Sequence, residues 1–369
     1  MQFDFGPNGN VGKDTTYDST RGFGFEPPAP GVGGRSFSVR LPEGNYLVTL
    51  RFGDERWASR TTVGAESRRL MLQDIVTTPG QFVERSFVVN VRAPSLPAPP
   101  QNAPGSASVR LKPQELAGFS WDDKLTLQFV GEQAHVATVK VTPVEVPVVY
   151  LAGDSTVTDQ SLAPAGSWGQ MLPRFFDNTI AVANHAESGE TLKSFLAELR
   201  LDKILSTLRA GDWVVMQFGH NDQKAQWPQT YVAADSTYRA YLRTYIAEVR
   251  RRGATPILVT SPERRNFDAN SRIVPSHGAY PEAVRAVARE ESVALIDLHA
   301  MSIEFYEALG PTRLVAAFGK DDLTHHTSYG AYELARRVAS SIRTADAKPM
   351  GNLAQHLAND VAVTDRAPR

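Results

Sequence analysis

The sequence predicts two architectures in series: an all-β sandwich over residues 1–143 and a parallel, doubly wound α/β unit over residues 144–369. Two patterns carry that reading. Alternation of apolar and polar residues with period two runs through the first stretch, with Gly and Pro (27 and 24 in the chain) punctuating it densely. After Pro143, apolar runs of four to six residues alternate instead with helical periodicity. A length of 369 residues agrees with two domains rather than one.

In the first stretch Phe37, Val39 and Leu41 alternate with polar neighbours, and Pro42-Glu43-Gly44-Asn45 supplies turn chemistry. Tyr46, Val48, Leu50 and Phe52 then resume the period, which makes a hairpin. The same alternation predicts strands at Phe87–Val91, Ser108–Leu111, Lys124–Phe129 and Val136–Val141. Between them, Pro94 to Gly105 holds five prolines in twelve residues and reads as a long connector. Short strands at such spacing suggest an antiparallel sandwich.

In the second stretch Val148–Ala152, Ile180–Asn184, Trp213–Phe218, Pro256–Thr260 and Val293–Leu298 read as buried strands. Thr237–Arg252 carries Tyr238, Tyr241, Leu242, Tyr245, Ile246 and Val249 at helical spacing, and a last helix is expected from about Tyr329 to Ile342. Strands separated by helices build a parallel sheet, whose ligands bind beyond the carboxyl ends of the strands. After Arg343 the tail has one short apolar pattern, Leu353, His356 and Leu357, and reads as either a last packed helix or a frayed end.

Composition excludes several classes. With 39 Lys+Arg against 40 Asp+Glu, bulk electrostatics would not hold a nucleic acid or an anionic membrane. No apolar run approaches the roughly 20 residues that span a bilayer, which predicts a soluble protein. The chain has no cysteine, so disulfides, thiol nucleophiles and Cys-ligated metal sites are out.

Four strand-end segments concentrate chemistry. Gly153-Asp154-Ser155-Thr156 reads alone as an ordinary helix N-cap, but it can also aim a hydroxyl at a helix N-terminus. Glu187-Ser188-Gly189-Glu190-Thr191 reads alone as a βα turn in which Gly189 lets backbone approach a ligand. Gly219-His220-Asn221-Asp222 is denser in polar groups than a turn needs, and the Asn221 amide suits an oxyanion donor. In Asp322-Leu323-Thr324-His325-His326, an Asp three residues before a His can set the imidazole's tautomer for general-base work. A metal reading of Asp322, His325 and His326 lacks a further ligand pair at suitable spacing.

In the order Ser, Gly, Asn, Asp-x-x-His, these segments resemble the SGNH (GDSL-type) hydrolase superfamily over about Val148 to Arg343. The resemblance implies a flavodoxin-like five-stranded parallel sheet flanked by helices. It also implies Ser155 as nucleophile, His325 as base and Asp322 as the acid that orients it. The oxyanion hole would be the Ser155 N–H, the Gly189 N–H and the Asn221 side chain. The first block reads Gly-Asp-Ser-Thr where the family has Gly-Asp-Ser-Leu, and the G-x-S-x-G elbow of α/β-hydrolases is missing.

Within that superfamily, Gly153–Val157, Gly219–Lys224 and Asp322–His325 leading into Tyr329–Glu333 resemble bacterial rhamnogalacturonan acetylesterases. Phe3-Asp4-Phe5-Gly6 and Arg21-Gly22-Phe23-Gly24-Phe25 resemble the galactose-binding-like β-sandwich often fused to them. Where that family commonly has Gly-Arg-Ser, this chain has Gly189-Glu190-Thr191. The implied activity is deacetylation of plant cell-wall polysaccharide, rhamnogalacturonan first, without cofactor or metal and without nucleic-acid or membrane partners. Alternatives are another acetylated glycan such as xylan or homogalacturonan, small acyl esters or acyl transfer, and a non-catalytic glycan-binding protein. A polymeric substrate implies a secreted or periplasmic enzyme, although no signal segment opens this chain.

Five residues are candidates for substrate contact. Trp168 either stacks on a sugar or packs with Met171, Leu172 and Phe175. Arg264 and Arg265, after the fourth strand, either pair with uronate carboxylates or sit solvated on a loop. His220 either lines the pocket or bonds locally, and His326 would be a wall beside the base. His135, His185, His277 and His299 carry no pattern that suggests a role.

Overall fold

The computed structural model describes residues 1–6, 9–27, 34–345 and 350–359. The N-terminal half supplies β1 (Gln2–Asp4), β2 (Phe23–Phe25), β3 (Arg35–Arg40), β4 (Gly44–Phe52), β5 (Ser59–Ala65), β6 (Arg69–Thr77) and β7 (Val83–Val91). A one-turn helix α1 (Pro113–Leu116) precedes β8 (Lys124–Val130) and β9 (Val136–Pro143). Two antiparallel sheets result, ordered β1-β9-β4-β7 and β2-β3-β8-β5-β6. Alternation decides which side of β4 is buried: Tyr46, Val48, Leu50 and Phe52 face inward, while Arg51 faces solvent. Between the sheets Phe3, Phe5, Phe25 and Phe37 meet with ring centroids 5.0 to 5.4 Å apart.

One expectation needs correction here. Ser108–Leu111 is no strand; it forms one isolated bridge, Ser95 to Ser108, because the proline connector offers no ladder to join. The β5–β6 hairpin, which is not among the strands expected from the sequence, buries Val63, Ala65, Leu70 and Met71 near its turn and hydroxyls at its open end: Ser59 and Thr77 are buried and bond each other at 2.9 Å.

The second half carries β10 (Val148–Gly153), β11 (Ala165–Gly166), α2 (Trp168–Met171), β12 (Ala181–Asn184), α3 (Leu192–Ala197), α4 (Arg200–Thr207), β13 (Trp213–Gln217), α5 (Thr237–Arg251) and β14 (Thr255–Val259). It continues with α6 (Tyr280–Glu290), β15 (Ala294–Ile296), α7 (Leu298–Leu314), β16 (His326–Thr327) and α8 (Ser328–Thr344). The central sheet is parallel throughout, ordered β12-β10-β13-β14-β15. The α5 and α6 helices cover one face through Leu242, Ile246 and Val284; α2, α7 and α8 cover the other through Met171, Tyr306 and Tyr332. With β10 flanked by β12 and β13, the strand order reverses at β10, so the crevice opens beyond its carboxyl end.

A small ribbon, β11 with β16, pairs Gly166 with His326 and ties the last loop to the loop after β10. Leu353 and Leu357 are buried, so the tail packs as a short 3-10 turn through Gly351–His356; residues 360–369 lie outside the described residues. The two halves share buried charge, since Arg69 Nε meets Asp159 Oδ2 at 2.7 Å and Arg92 approaches the same oxygen at 3.6 Å. Among the described residues no helix is long and apolar enough to cross a membrane.

Candidate active site

Gly153 ends β10 because nothing larger fits: a Cβ there would stand 2.6 Å from the Val157 side chain and 2.8 Å from the Gln217 carbonyl oxygen. The chain then turns sharply, with the N–H groups of Val157 and Thr158 both donating to the Asp154 carbonyl at 3.0 Å. The Asp154 carboxylate faces inward, accepting from the Thr156 N–H and hydroxyl at 3.0 and 2.9 Å, and burial raises its pKa. Gln217 locks that turn to β13, bonding Asp154 and Thr156 and accepting from Trp168 Nε1 at 2.7 Å. Ser155 is therefore the residue left pointing outward.

Its hydroxyl lies 3.0 Å from His325 Nε2, and His325 Nδ1 lies 2.7 Å from Asp322 Oδ2. The other Asp322 oxygen accepts from the Thr324 and His325 N–H groups at 2.7 and 2.9 Å. Burial pushes the Asp322 pKa up, but those backbone donors and the imidazole outweigh it and hold it below the ordinary value. His325 Nδ1 thus carries a proton toward a carboxylate, which leaves the Nε2 lone pair facing Ser155. This is the arrangement of a hydroxyl nucleophile, a base and an orienting acid.

Two further strand ends lie at the same carboxyl edge of the sheet, since β12 and β13 flank β10. Gly189, after β12, has φ of +83°, a conformation that favours glycine. Among the described residues no protein group accepts from the Ser155 or Gly189 N–H. Asn221, after β13, is held at both ends of its amide: Oδ1 accepts from Lys224 Nζ at 2.7 Å, and Nδ2 donates to the Glu190 carbonyl at 3.1 Å. Asp222, buried and raised to about 7 chiefly by desolvation, accepts from the Leu192 and Gly219 N–H groups at 2.9 Å. It thereby welds the Gly219 turn to the start of α3. Ser155, Gly189 and Asn221 therefore follow three neighbouring parallel strands at one edge of the sheet, and hydrogen bonds join Ser155 to His325 and Asp322.

The five residues considered for substrate contact do other work in the framework. Trp168 is 1 % exposed, its indole fixed behind the Ser155 turn, so it offers no face to a sugar. His326 is buried against Phe318 and bonds the Tyr306 hydroxyl at 2.7 Å, so it is core and not pocket wall. Arg264 spends its guanidinium on Ser276, Thr324 and the His220 carbonyl. Arg265 lies over the Phe318 ring and donates to the Asp322 carbonyl at 3.3 Å, bracing the acid's loop.

His220 is buried in a relay that sequence spacing did not reveal. Glu263 Oε1 lies 2.9 Å from His277 Nδ1, and His277 Nε2 lies 3.2 Å from His220 Nδ1. Burial holds both rings below their ordinary pKa, so as neutral imidazoles they pass one tautomer along the chain and leave His220 Nε2 as an acceptor without a hydrogen-bond partner among the described residues. Glu263, His277 and His299 also bring ligand-type atoms within 4.8 Å of one another. The carboxylate is already occupied by both imidazoles, the Ser276 N–H and hydroxyl, and the Arg264 N–H, and these bonds hold it well below the usual carboxylate range against the effect of burial. A cavity of about 510 Å³ opens at the opposite end of β10, lined by Glu43, Tyr46, Val148 and Asp212, far from this chemistry.

Residues 151–334 match the family described as GDSL-like lipase/acylhydrolase. Rhamnogalacturonan acetylesterase RhgT of Bacillus subtilis (strain 168) is 41% identical over 209 residues, covering 53% of this chain and 88% of that protein. Probable rhamnogalacturonan acetylesterase YesY of the same organism is 38% identical over 200 residues, covering 53% and 92%. The crystal structure of Bacillus subtilis YxiM superposes with a TM-score of 0.53 at 25% identity, covering 93% of this chain and 97% of that one. The likeness to YxiM therefore extends through both halves.

Proposed function

The chain belongs to the GDSL-like lipase/acylhydrolase family and is a carboxylic ester hydrolase, and on that premise we propose that it removes acetyl groups from a polysaccharide, with rhamnogalacturonan as substrate. The observation that carries the chemistry is the contact of 3.0 Å between Ser155 Oγ and an imidazole whose far nitrogen is held by Asp322. The choice of acetyl and of a pectic backbone rests on the names of RhgT and YesY.

In this reading Ser155 Oγ attacks the acetyl carbonyl carbon while His325 Nε2 takes the hydroxyl proton. The carbonyl oxygen becomes an oxyanion received by the Ser155 N–H, the Gly189 N–H and the Asn221 amide. Collapse breaks the C–O bond to the sugar, and His325 returns the proton to the leaving sugar hydroxyl. Water, deprotonated by His325, then attacks the acetyl-enzyme and releases acetate. A polymeric substrate places the enzyme outside the cytoplasm.

The test is acetate release from acetylated rhamnogalacturonan, homogalacturonan, xylan and mannan, by wild type and by Ser155→Ala. Rhamnogalacturonan should lead and the variant should be inactive on all four. Faster release from xylan would replace the substrate and keep the chemistry. Activity retained in Ser155→Ala, or preference for octanoyl over acetyl aryl esters, would overturn the reading.

A further inference from the structure

We propose that Lys112, supplied by the N-terminal half, is a positioning residue for the oxyanion donors, so that this half completes the acyl-transfer site. The inference rests on the reading above, in which the Gly189 N–H and Asn221 amide receive the oxyanion. Lys112 caps α1, in the segment that leads back from the proline connector toward β8. Its ammonium donates to the Ser188 carbonyl at 2.5 Å and to the Glu190 carboxylate, so it straddles Gly189. A Cβ placed on Gly189 would lie 3.9 Å from that ammonium.

The consequence follows from peptide geometry. The Ser188 carbonyl and the Gly189 N–H belong to one planar, trans peptide unit, in which C=O and N–H point in opposite directions. Holding the oxygen on one side therefore aims the N–H to the other. A cation on the oxygen also polarises the unit and strengthens its N–H as a donor. Gly189 itself, at φ of +83°, has no side chain to fix that plane.

The same ammonium registers the second donor. Glu190, 1 % exposed, is gripped by Lys112 and by the Ser194 hydroxyl at 2.6 Å. The backbone oxygen of Glu190 then receives Asn221 Nδ2. One lysine thus sets Gly189 directly and Asn221 through one intermediate residue.

Lys112 is held firmly enough to do this. Its N–H donates to Glu115 Oε2 at 2.8 Å, and Glu115 grips the buried Arg200 through both oxygens at 2.9 and 2.5 Å. Gln114 donates to Glu187 at 3.1 Å, and the Arg110 N–H donates to the Glu198 carbonyl at 3.0 Å. Residues 110–115 therefore dock along the whole turn from Glu187 to Arg200.

The test uses the full chain, Lys112→Met and Lys112→Arg, with Ser155→Ala as control and an aryl acetate as substrate. That substrate has no sugar and no carboxylate for a lysine to grip. Since losing one oxyanion donor costs about 10²–10³ in rate, misaiming donors should lower kcat by roughly 10–100-fold in Lys112→Met. KM should stay near wild type, the urea midpoint should fall because Glu190 loses its cation, and kcat is therefore read per folded molecule; Lys112→Arg should recover most of the rate. An unchanged kcat in Lys112→Met would overturn the proposal, as would a rise in KM alone, which marks a substrate contact. If Lys112→Met fails to fold, Lys112→Gln decides: a kcat per folded molecule at least about tenfold below wild type with KM unchanged supports the proposal, and one near wild type overturns it. Activity remaining in Ser155→Ala would instead refute the underlying acyl-transfer reading.

Discussion

Replacing Asp322 by Asn changes one atom, and the structure predicts where that atom goes. The Asp322 oxygen that faces the backbone accepts two N–H groups, from Thr324 and His325, at 2.7 and 2.9 Å. An NH₂ group cannot replace it there, so the amide must keep its oxygen toward the backbone and turn its nitrogen toward His325 Nδ1. That nitrogen donates, so Nδ1 must give up its proton and accept. The proton then resides on Nε2, the atom 3.0 Å from Ser155 Oγ, and the lone pair that should deprotonate the serine is gone. In serine proteases the same exchange costs about 10⁴ in kcat, and each decade is about 1.4 kcal/mol of barrier, so a loss of roughly 5 kcal/mol is expected here. Steady-state hydrolysis of an aryl acetate by wild type, Asp322→Asn and Asp322→Ala would measure it. Ala imposes no tautomer, so Asn should be at least as damaging despite its closer shape. An Asn variant within about tenfold of wild type would refute the tautomer argument.

The remaining predictions concern stability. Glu115→Ala leaves Arg200, fully buried, with Glu198 at 2.9 Å as its main partner and should cost about 3 kcal/mol in urea unfolding; a loss below about 1 kcal/mol would show that the pair with Glu115 does not hold the segment. Burial, with His325 nearby, holds the His326 ring at about 3, so the unfolded chain takes a proton that the folded one refuses, and this contribution is complete above pH ~6.5 and lost as the pH falls toward 3. Buried carboxyls such as Asp222 act in the opposite sense, so the measurement is a difference: between pH 7 and 4.5, His326→Asn should lose roughly 3 kcal/mol less than wild type, and equal losses would refute the assignment.

What could be read from the chain followed from locality. Asp322 and His325 sit within one turn, and Ser155, Gly189 and Asn221 each follow an apolar run that hydropathy marks as a strand. Their convergence needs only a parallel sheet, whose strand ends come together by construction. Trp168 was ambiguous because an indole suits both a sugar and a core, and only its bond to Gln217 decides. The arginines stayed open because a strand-end position does not tell whether a guanidinium faces a ligand or braces a neighbouring loop, and here both brace loops. Glu263, His277 and His220 are joined only in three dimensions, so no spacing announces their relay. Lys112 was the hardest to see, since 43 residues separate it from Ser155 and nothing in a proline-rich connector signals that its end returns to another unit's turn.

The Arg69–Asp159–Arg92 cluster has a bearing on how the protein can be dissected. β9 ends at Pro143 and β10 begins at Val148, so this gap is where one would cut to obtain a smaller enzyme. The cut would nevertheless pass through a shared ionic core. The sandwich would keep two arginines without their carboxylate, and the hydrolase would keep a carboxylate beside its nucleophile turn without either arginine. Each fragment would begin its separate existence with a charge that the intact molecule keeps out of water. Trimming this protein to its reactive half therefore calls for redesign at Asp159, not merely a new start codon.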